Sequence, residues 1–172
     1  MEDPDRVPDE DESPSSPSDA ADVPPADILA PSPLLTLAAF LVGGVAEFIW
    51  PTQLLPGPWD GVLGGLLVGA GAVLFVGALW VMEVVGKHPS HADEPPRLIT
   101  GGPYRYSRNP IYTGHSLAHA GGALLVGSVW VLLALVPVVL YLNGVVREEE
   151  TRLRALFGTE YTRYCQEVRR WL

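Results

Sequence analysis

The chain has 172 residues, 48% of them hydrophobic, with a formal net charge of −9 and a single cysteine. Residues 1–27 hold ten acidic side chains against Arg6 and carry all of that charge, so the acidity describes a tail and not a functional surface and says nothing for or against nucleic acid, which is not among the expected partners. Cys165 alone excludes an intramolecular disulfide, and the apolar residues come in blocks, which points to a membrane protein rather than a soluble domain.

Residues 1–33 are rich in Pro, Ser, Asp and Glu, with few aromatic or branched apolar side chains. Such a stretch buries too little surface to offset chain entropy and is expected to be disordered. It also lacks the positive start and apolar core of a signal peptide. Residues 34–172 are expected to form one membrane-embedded unit. Four apolar blocks, 34–50, 61–82, 111–127 and 129–146, are read as spans, because about 17–25 residues cross a hydrocarbon core. The last two meet at Ser128 and must form an antiparallel hairpin. The fold class implied is all-α, an integral membrane bundle of about four transmembrane helices followed by a cytoplasmic helical segment.

Two features inside the blocks carry expectations of their own. Glu47, three residues before Trp50, is read as an interfacial residue snorkelling to water. Gly61, Gly65 and Gly69 repeat every four residues, a spacing that lets helices approach closely. Packing within the chain is the plain reading of that row, and a homodimer face is the alternative.

Between the second and third blocks lies Gly101-Gly102-Pro103-Tyr104-Arg105-Tyr106-Ser107-Arg108-Asn109-Pro110-Ile111-Tyr112-Thr113-Gly114. Its prolines, glycines, arginines and tyrosines suit neither a span nor an unbroken helix. They suit a loop that stays irregular at membrane depth while lining a cavity. Lys87, Arg97, Arg105 and Arg108 lie between spans two and three, and Arg147, Arg152, Arg154, Arg163, Arg169 and Arg170 follow span four. The other two connections carry no base, so the positive-inside rule puts both termini and this loop in the cytoplasm, the expected membrane being a prokaryotic plasma membrane.

Beyond residue 146, Val145, Glu149, Leu153, Leu156 and Phe157 recur at helical spacing, so Glu149 shares a face with apolar neighbours. Gly158 is expected to end that helix. Tyr161, Tyr164, Cys165, Val168 and Trp171 then mark one stripe of a second helix, lying on the membrane surface or against the central loop. His88, His91, His115 and His119 lack the carboxylate or cysteine partners of a metal site, and no metal is expected. His115 is a candidate proton acceptor at the cytoplasmic start of span three.

Taken together, Gly-Pro-Tyr-x-x-x-Arg-x-Pro-x-Tyr, the hairpin after it, and Glu-Glu-x-x-Leu-x-x-x-Phe-Gly-x-x-Tyr-x-x-Tyr resemble the isoprenylcysteine carboxyl methyltransferase and phospholipid methyltransferase superfamily of integral membrane enzymes. The resemblance covers about residues 95–172. It implies S-adenosylmethionine as cofactor and a lipid, prenylated or other amphiphilic acceptor reached from the bilayer. It also implies cofactor contacts at Gly102, Tyr104, Asn109, Pro110, Ile111, Tyr112 and Glu149. Arg108 and His115 are the catalytic candidates, Arg108 because a guanidinium can hold an anionic head group or the cofactor's carboxylate in two bonds.

Two family histidines fall on Asn109 and Pro96, so an imidazole acid or base is absent at both places. The arginine that meets substrate in prenylcysteine enzymes falls on Val145. Other readings of the same architecture are a nicotinamide-dependent membrane lipid reductase and a non-catalytic partner subunit.

Overall fold

The computed structural model describes residues 32–55, 58–86 and 97–172. The acidic tail up to residue 31, Lys87, His88, His91 and Pro96 lie outside the described residues. Four helices follow in order: α1 (Ser32–Ile49), α2 (Trp59–Gly86), α3 (Pro110–Leu125) and α4 (Val129–Glu167), with a 3₁₀ turn at Gly102–Arg105 before α3. No strand occurs among the described residues. The helices run up and down, α2 packing antiparallel to α3 and α1 antiparallel to α4, with α3 touching all three others.

Four crossings were expected. By length and composition two helices are long and apolar enough to cross a membrane, α2 and α4. α1 and α3 have 18 and 16 residues, or roughly 27 and 24 Å at 1.5 Å per residue, which is at or below the lower limit for a span. In α3 the shortfall has a cause in the sequence, because Thr113, His115, Ser116 and His119 dilute its apolar face. The outer surfaces of α1, α2 and α4 are strongly apolar, with Leu41, Phe48, Leu66, Val73, Trp80 and Leu140 all exposed. A continuous apolar exterior of this kind suits hydrocarbon and not water.

Close packing between α2 and α3 rests on glycines, though not on the row that the spacing singled out. Gly61, Gly65 and Gly69 face open space, with nothing within 4 Å of an added Cβ, so the reading that this row packs within the chain is corrected. The contacts are made one face round, at Gly64 and Gly71 of α2 against Gly121 and Gly114 of α3. A Cβ at Gly71 would lie 2.5 Å from the Gly114 carbonyl oxygen, and one at Gly121 would lie 2.7 Å from that of Gly64. Bare backbones in contact let α3 lie almost inside the α2 surface. A similar crossing joins α1 to α4, where a Cβ on Gly43 would meet Val131 Cα at 2.6 Å.

At the end of the bundle remote from the motif loop, Glu47 does not snorkel. Its carboxylate accepts from Thr52 N at 2.5 Å, Thr52 Oγ1 at 2.6 Å and Ser128 Oγ at 2.6 Å. Ser128 is the N-cap of α4 and accepts from Val131 N, while Val129 N donates to Thr52 Oγ1. Trp130 Nε1 donates to the Trp50 carbonyl, and Leu54 N to that of Gly127. One carboxylate thus ties the α1–α2 connection to the α3–α4 turn, its ionised form accepting from three protein donors. Glu47→Ala removes the acceptor of a backbone N–H and two hydroxyls, and is expected to lower the melting temperature of the protein. Thermal melts in detergent check this, and a melting temperature equal to wild type would return Glu47 to the role of a surface anchor.

α4 has 39 residues and outruns any bilayer. Its buried stripe is Val131, Val138, Leu142, Val146 and Glu150, so the face that packs against the bundle continues past the apolar block and ends on a carboxylate. At Gly158 the backbone leaves helical geometry (φ 50°, ψ −119°), as the glycine led one to expect. Residues 159–167 then turn back onto the motif loop, burying Tyr161 and Tyr164.

Candidate functional site

The motif loop takes its shape from local chemistry. Gly102 has φ +59°, where side chains are strained, and a Cβ there would also meet Val81 Cγ2 of α2 at 2.8 Å. Pro103 rests on Gly77, the rest of the turn leads to a fully buried Ser107, and Pro110 opens α3 as its first residue. Ser107 Oγ lies 3.3 Å from Thr113 Oγ1 and accepts from Asn109 N at 3.1 Å, closing the corner on itself.

This corner is covered by the last residues of the chain. Arg108 N donates to the Arg169 carbonyl at 2.9 Å, and Ser107 Oγ and Asn109 Nδ2 donate to that of Arg170 at 3.2 and 3.1 Å. The Tyr164 hydroxyl donates to the Tyr104 carbonyl at 2.7 Å. Of the two placements expected for the segment after Gly158, the structure shows the one against the central loop.

Between the loop, the end of α2 and the far part of α4 lies a cavity of about 500 Å³, within the range that holds a small-molecule ligand. Tyr104, Arg108, Asn109, Pro110, Ile111, Tyr112 and Glu149 all line it, which brings together seven of the nine residues singled out from sequence. Leu153, Leu156 and Phe157, the apolar companions of Glu149 on α4, form a second wall with Met82, Leu98 and Ile99.

Glu149 is solvent-exposed by surface area because the cavity opens onto it, yet protein atoms crowd it closely. That crowding pushes its carboxyl above the usual range, helped by neighbouring Glu150, while Arg152 and a hydrogen bond from Tyr112 pull it back. Burial, reinforced by Glu149, pushes Tyr104 up to about 12, and burial also pushes Tyr164 up to about 12 against the pull of Arg108. All three phenols therefore stand beside charged partners, and those of Tyr104 and Tyr164 stay protonated far above neutrality.

Two candidates lie elsewhere. Gly102 does not line the cavity; its glycine is required by the turn and by the approach to Val81. His115 is absent from the lining too, because α3 turns its ring toward α2, stacked on Phe75 with centroids 4.6 Å apart. Its Nδ1 is buried and has no partner among the described residues. His119 bonds the Val131 carbonyl at 2.9 Å and meets Phe40 edge-on, a packing role between helices. Asn109 reaches the cavity, but its amide nitrogen is taken up by the covering strap.

Sequence reasoning passed over Glu150, Arg170 and Ser107. Glu150 is 3% exposed and pairs with Arg108 Nη1 at 3.2 Å and Arg170 Nη2 at 2.6 Å. The signal that could have found it is the α4 stripe that begins at Val131, on which Glu150 falls and Glu149 does not. No comparable signal existed for Arg170, which lies 20 residues further on and arrives only through the break at Gly158.

A family model described as phospholipid methyltransferase matches residues 59–160, more than half of the chain. No curated protein sequence matches. Among solved structures, the eukaryotic intramembrane Ras methyltransferase, isoprenylcysteine carboxyl methyltransferase, is similar at a TM-score of 0.60 and 19% identity, over 85% of this chain and 52% of that one. This chain therefore spans about half the length of that enzyme, and at such identity the likeness speaks for the fold. With the matched region running from the start of α2 through the cavity wall of α4, the chain belongs to the phospholipid methyltransferase family.

Proposed function

We propose that the chain transfers the methyl group of S-adenosylmethionine to a lipid or other amphiphilic acceptor at the cytoplasmic face of a membrane. The observation that carries this reading is the cavity in which Glu149, Tyr104 and Tyr112 stand together beside an apolar wall. The donor set suits the cofactor's parts. A sulfonium and an ammonium ask for a carboxylate and aromatic faces, an adenine for apolar surface, and a carboxylate for a guanidinium.

When bound, the cofactor supplies an electrophilic methyl group; the protein's task is to hold and align. Glu149 offers the negative charge, Tyr104 and Tyr112 offer ring faces and phenol donors, and Arg108 offers a cation to an anionic end. Met82, Leu153, Leu156 and Phe157 keep water from the reacting atoms and give an acyl chain or prenyl group a surface to follow. Among the described residues no imidazole lines the cavity, and the reading rests on alignment and charge. The bases Arg97, Arg105, Arg108 and Arg147 gather at this end of the bundle, which supports a cytoplasmic site.

Titration of the detergent-solubilised protein with S-adenosylmethionine tests the reading. Saturable binding is expected, weakened about tenfold by Tyr104→Ala through loss of a ring face near a cation. Wild-type protein that shows no saturable binding would sink the proposal. Transfer of a labelled methyl group into extracted lipids then identifies the acceptor class.

A further inference from the structure

Two guanidinium groups share one buried carboxylate in the wall of the cavity. Arg170 holds Glu150 by both edges, Nε to Oε1 at 3.0 Å and Nη2 to Oε2 at 2.6 Å, and Arg108 Nη1 meets the same Oε1 at 3.2 Å. The side chains of Glu150 and Arg108 are 4% and 11% exposed, so water screens this cluster little. Arg108 Nη1 also lies on Cys165 Sγ at 2.6 Å, and the backbone N–H of Arg108 is fixed by the Arg169 carbonyl.

One carboxylate against two arginines leaves a positive charge uncompensated. Arg108 lines the cavity, and its Nε is buried without a partner among the described residues. A largely buried cation with an unpartnered nitrogen is prepared to accept an anion.

We infer that Glu150 and Arg170 are positioning residues: they hold Arg108 by its Nη1 edge and thereby present the remainder of its guanidinium to an anionic group, a carboxylate or a phosphate, of the ligand in the cavity. The inference rests on the methyltransferase reading for the identity of that ligand but not for the positioning itself. Arg170 does double duty, because its carbonyl is also the acceptor for Ser107 and Asn109. Loosening its side chain therefore loosens the strap over the loop corner.

Cys165 provides a readout that needs no ligand. It is the chain's single cysteine, so maleimide labelling of the full chain in detergent reports on it alone. Glu150→Gln is expected to change the labelling rate about tenfold as Arg108 leaves the thiol, whereas Glu148→Gln, on the exposed side of the same run, leaves it at the wild-type rate.

Affinities are measured in parallel for S-adenosylmethionine and for an anionic phospholipid in mixed micelles. Glu150→Gln is expected to weaken one of them as much as Arg108→Lys does, and the double variant to be no worse than either single. Loss for S-adenosylmethionine assigns the anion to the cofactor's carboxylate, and loss for the lipid assigns it to a phosphate. Unchanged labelling in Glu150→Gln overturns the inference, as do additive losses in the double variant. A wild-type protein that binds no S-adenosylmethionine yet unlocks Cys165 on Glu150→Gln would retain the positioning and discard the cofactor.

Discussion

Replacing Glu149 with glutamine is expected to weaken S-adenosylmethionine binding by about 10- to 100-fold, the range for losing a charged hydrogen-bond partner in a partly desolvated site. The same change is expected to raise slightly the melting temperature of the ligand-free protein at neutral pH. Both follow from the upward displacement of the Glu149 carboxyl, caused first by burial and then by Glu150. Below the usual carboxylate range the folded and unfolded chains both hold the proton, and no difference arises. As pH rises toward the displaced value, the unfolded chain releases the proton first, so folded stability falls across that window and then levels off. Glutamine removes this penalty. The gain is small because the cavity admits water to the carboxylate.

The pH dependence of binding runs the other way. A cationic ligand requires the ionised carboxylate, so wild-type affinity should fall as pH drops through the displaced value, and the Glu149→Gln variant should lack that dependence. Titrations and melts across a pH series measure both. An affinity that is unchanged by the substitution would remove Glu149 from the site.

The second large effect is expected at the α2–α3 contact. Gly71→Ala places a Cβ 2.5 Å from the Gly114 carbonyl oxygen, and neither partner is a side chain that can swing away. The helices must separate, at a cost of about 3 kcal/mol, the upper part of the range for overpacking. Gly65→Ala meets nothing within 4 Å and gains alanine's better helix propensity, worth up to about 1 kcal/mol, so it should be neutral or mildly stabilising. The two substitutions sit less than two turns apart on one helix and are chemically identical, so any difference between them reports the tertiary contact.

Function should follow the same split. α2 contributes Met82 to the cavity and α3 contributes Pro110, Ile111 and Tyr112, so displacing one helix from the other widens the site. Gly71→Ala is expected to weaken S-adenosylmethionine binding as well as stability, and Gly65→Ala to change neither adversely. Equal melting temperatures for the two variants would contradict the close approach.

Much of this architecture is written in local pattern. Apolar blocks, the N-cap at Ser128, the break at Gly158 and the stripe through Glu149, Leu153, Leu156 and Phe157 depend on neighbours within a few turns. Motif spacing likewise brought Tyr104, Asn109, Tyr112 and Glu149 to one cavity, because a short hairpin returns the chain to its starting face. Where sequence reading stopped, the deciding quantity was helix rotation or a contact between distant segments.

Glu149 and Glu150 are identical residues one position apart and both line the cavity, yet a turn of about 100° leaves one open to it and ties the other into a buried ion pair in its wall. The same rotation separates the open row at Gly61, Gly65 and Gly69 from the packed pair at Gly64 and Gly71, and turns His115 toward Phe75. Glu47 finds Ser128 across 81 residues, and Arg170 finds Glu150 only because the chain reverses after Gly158. The sequence by itself determined which elements form and which segments carry chemistry, since propensity and periodicity act within a few turns. Tertiary structure alone decided which face of each helix is inside, because that depends on crossing and rotation, which no local spacing encodes.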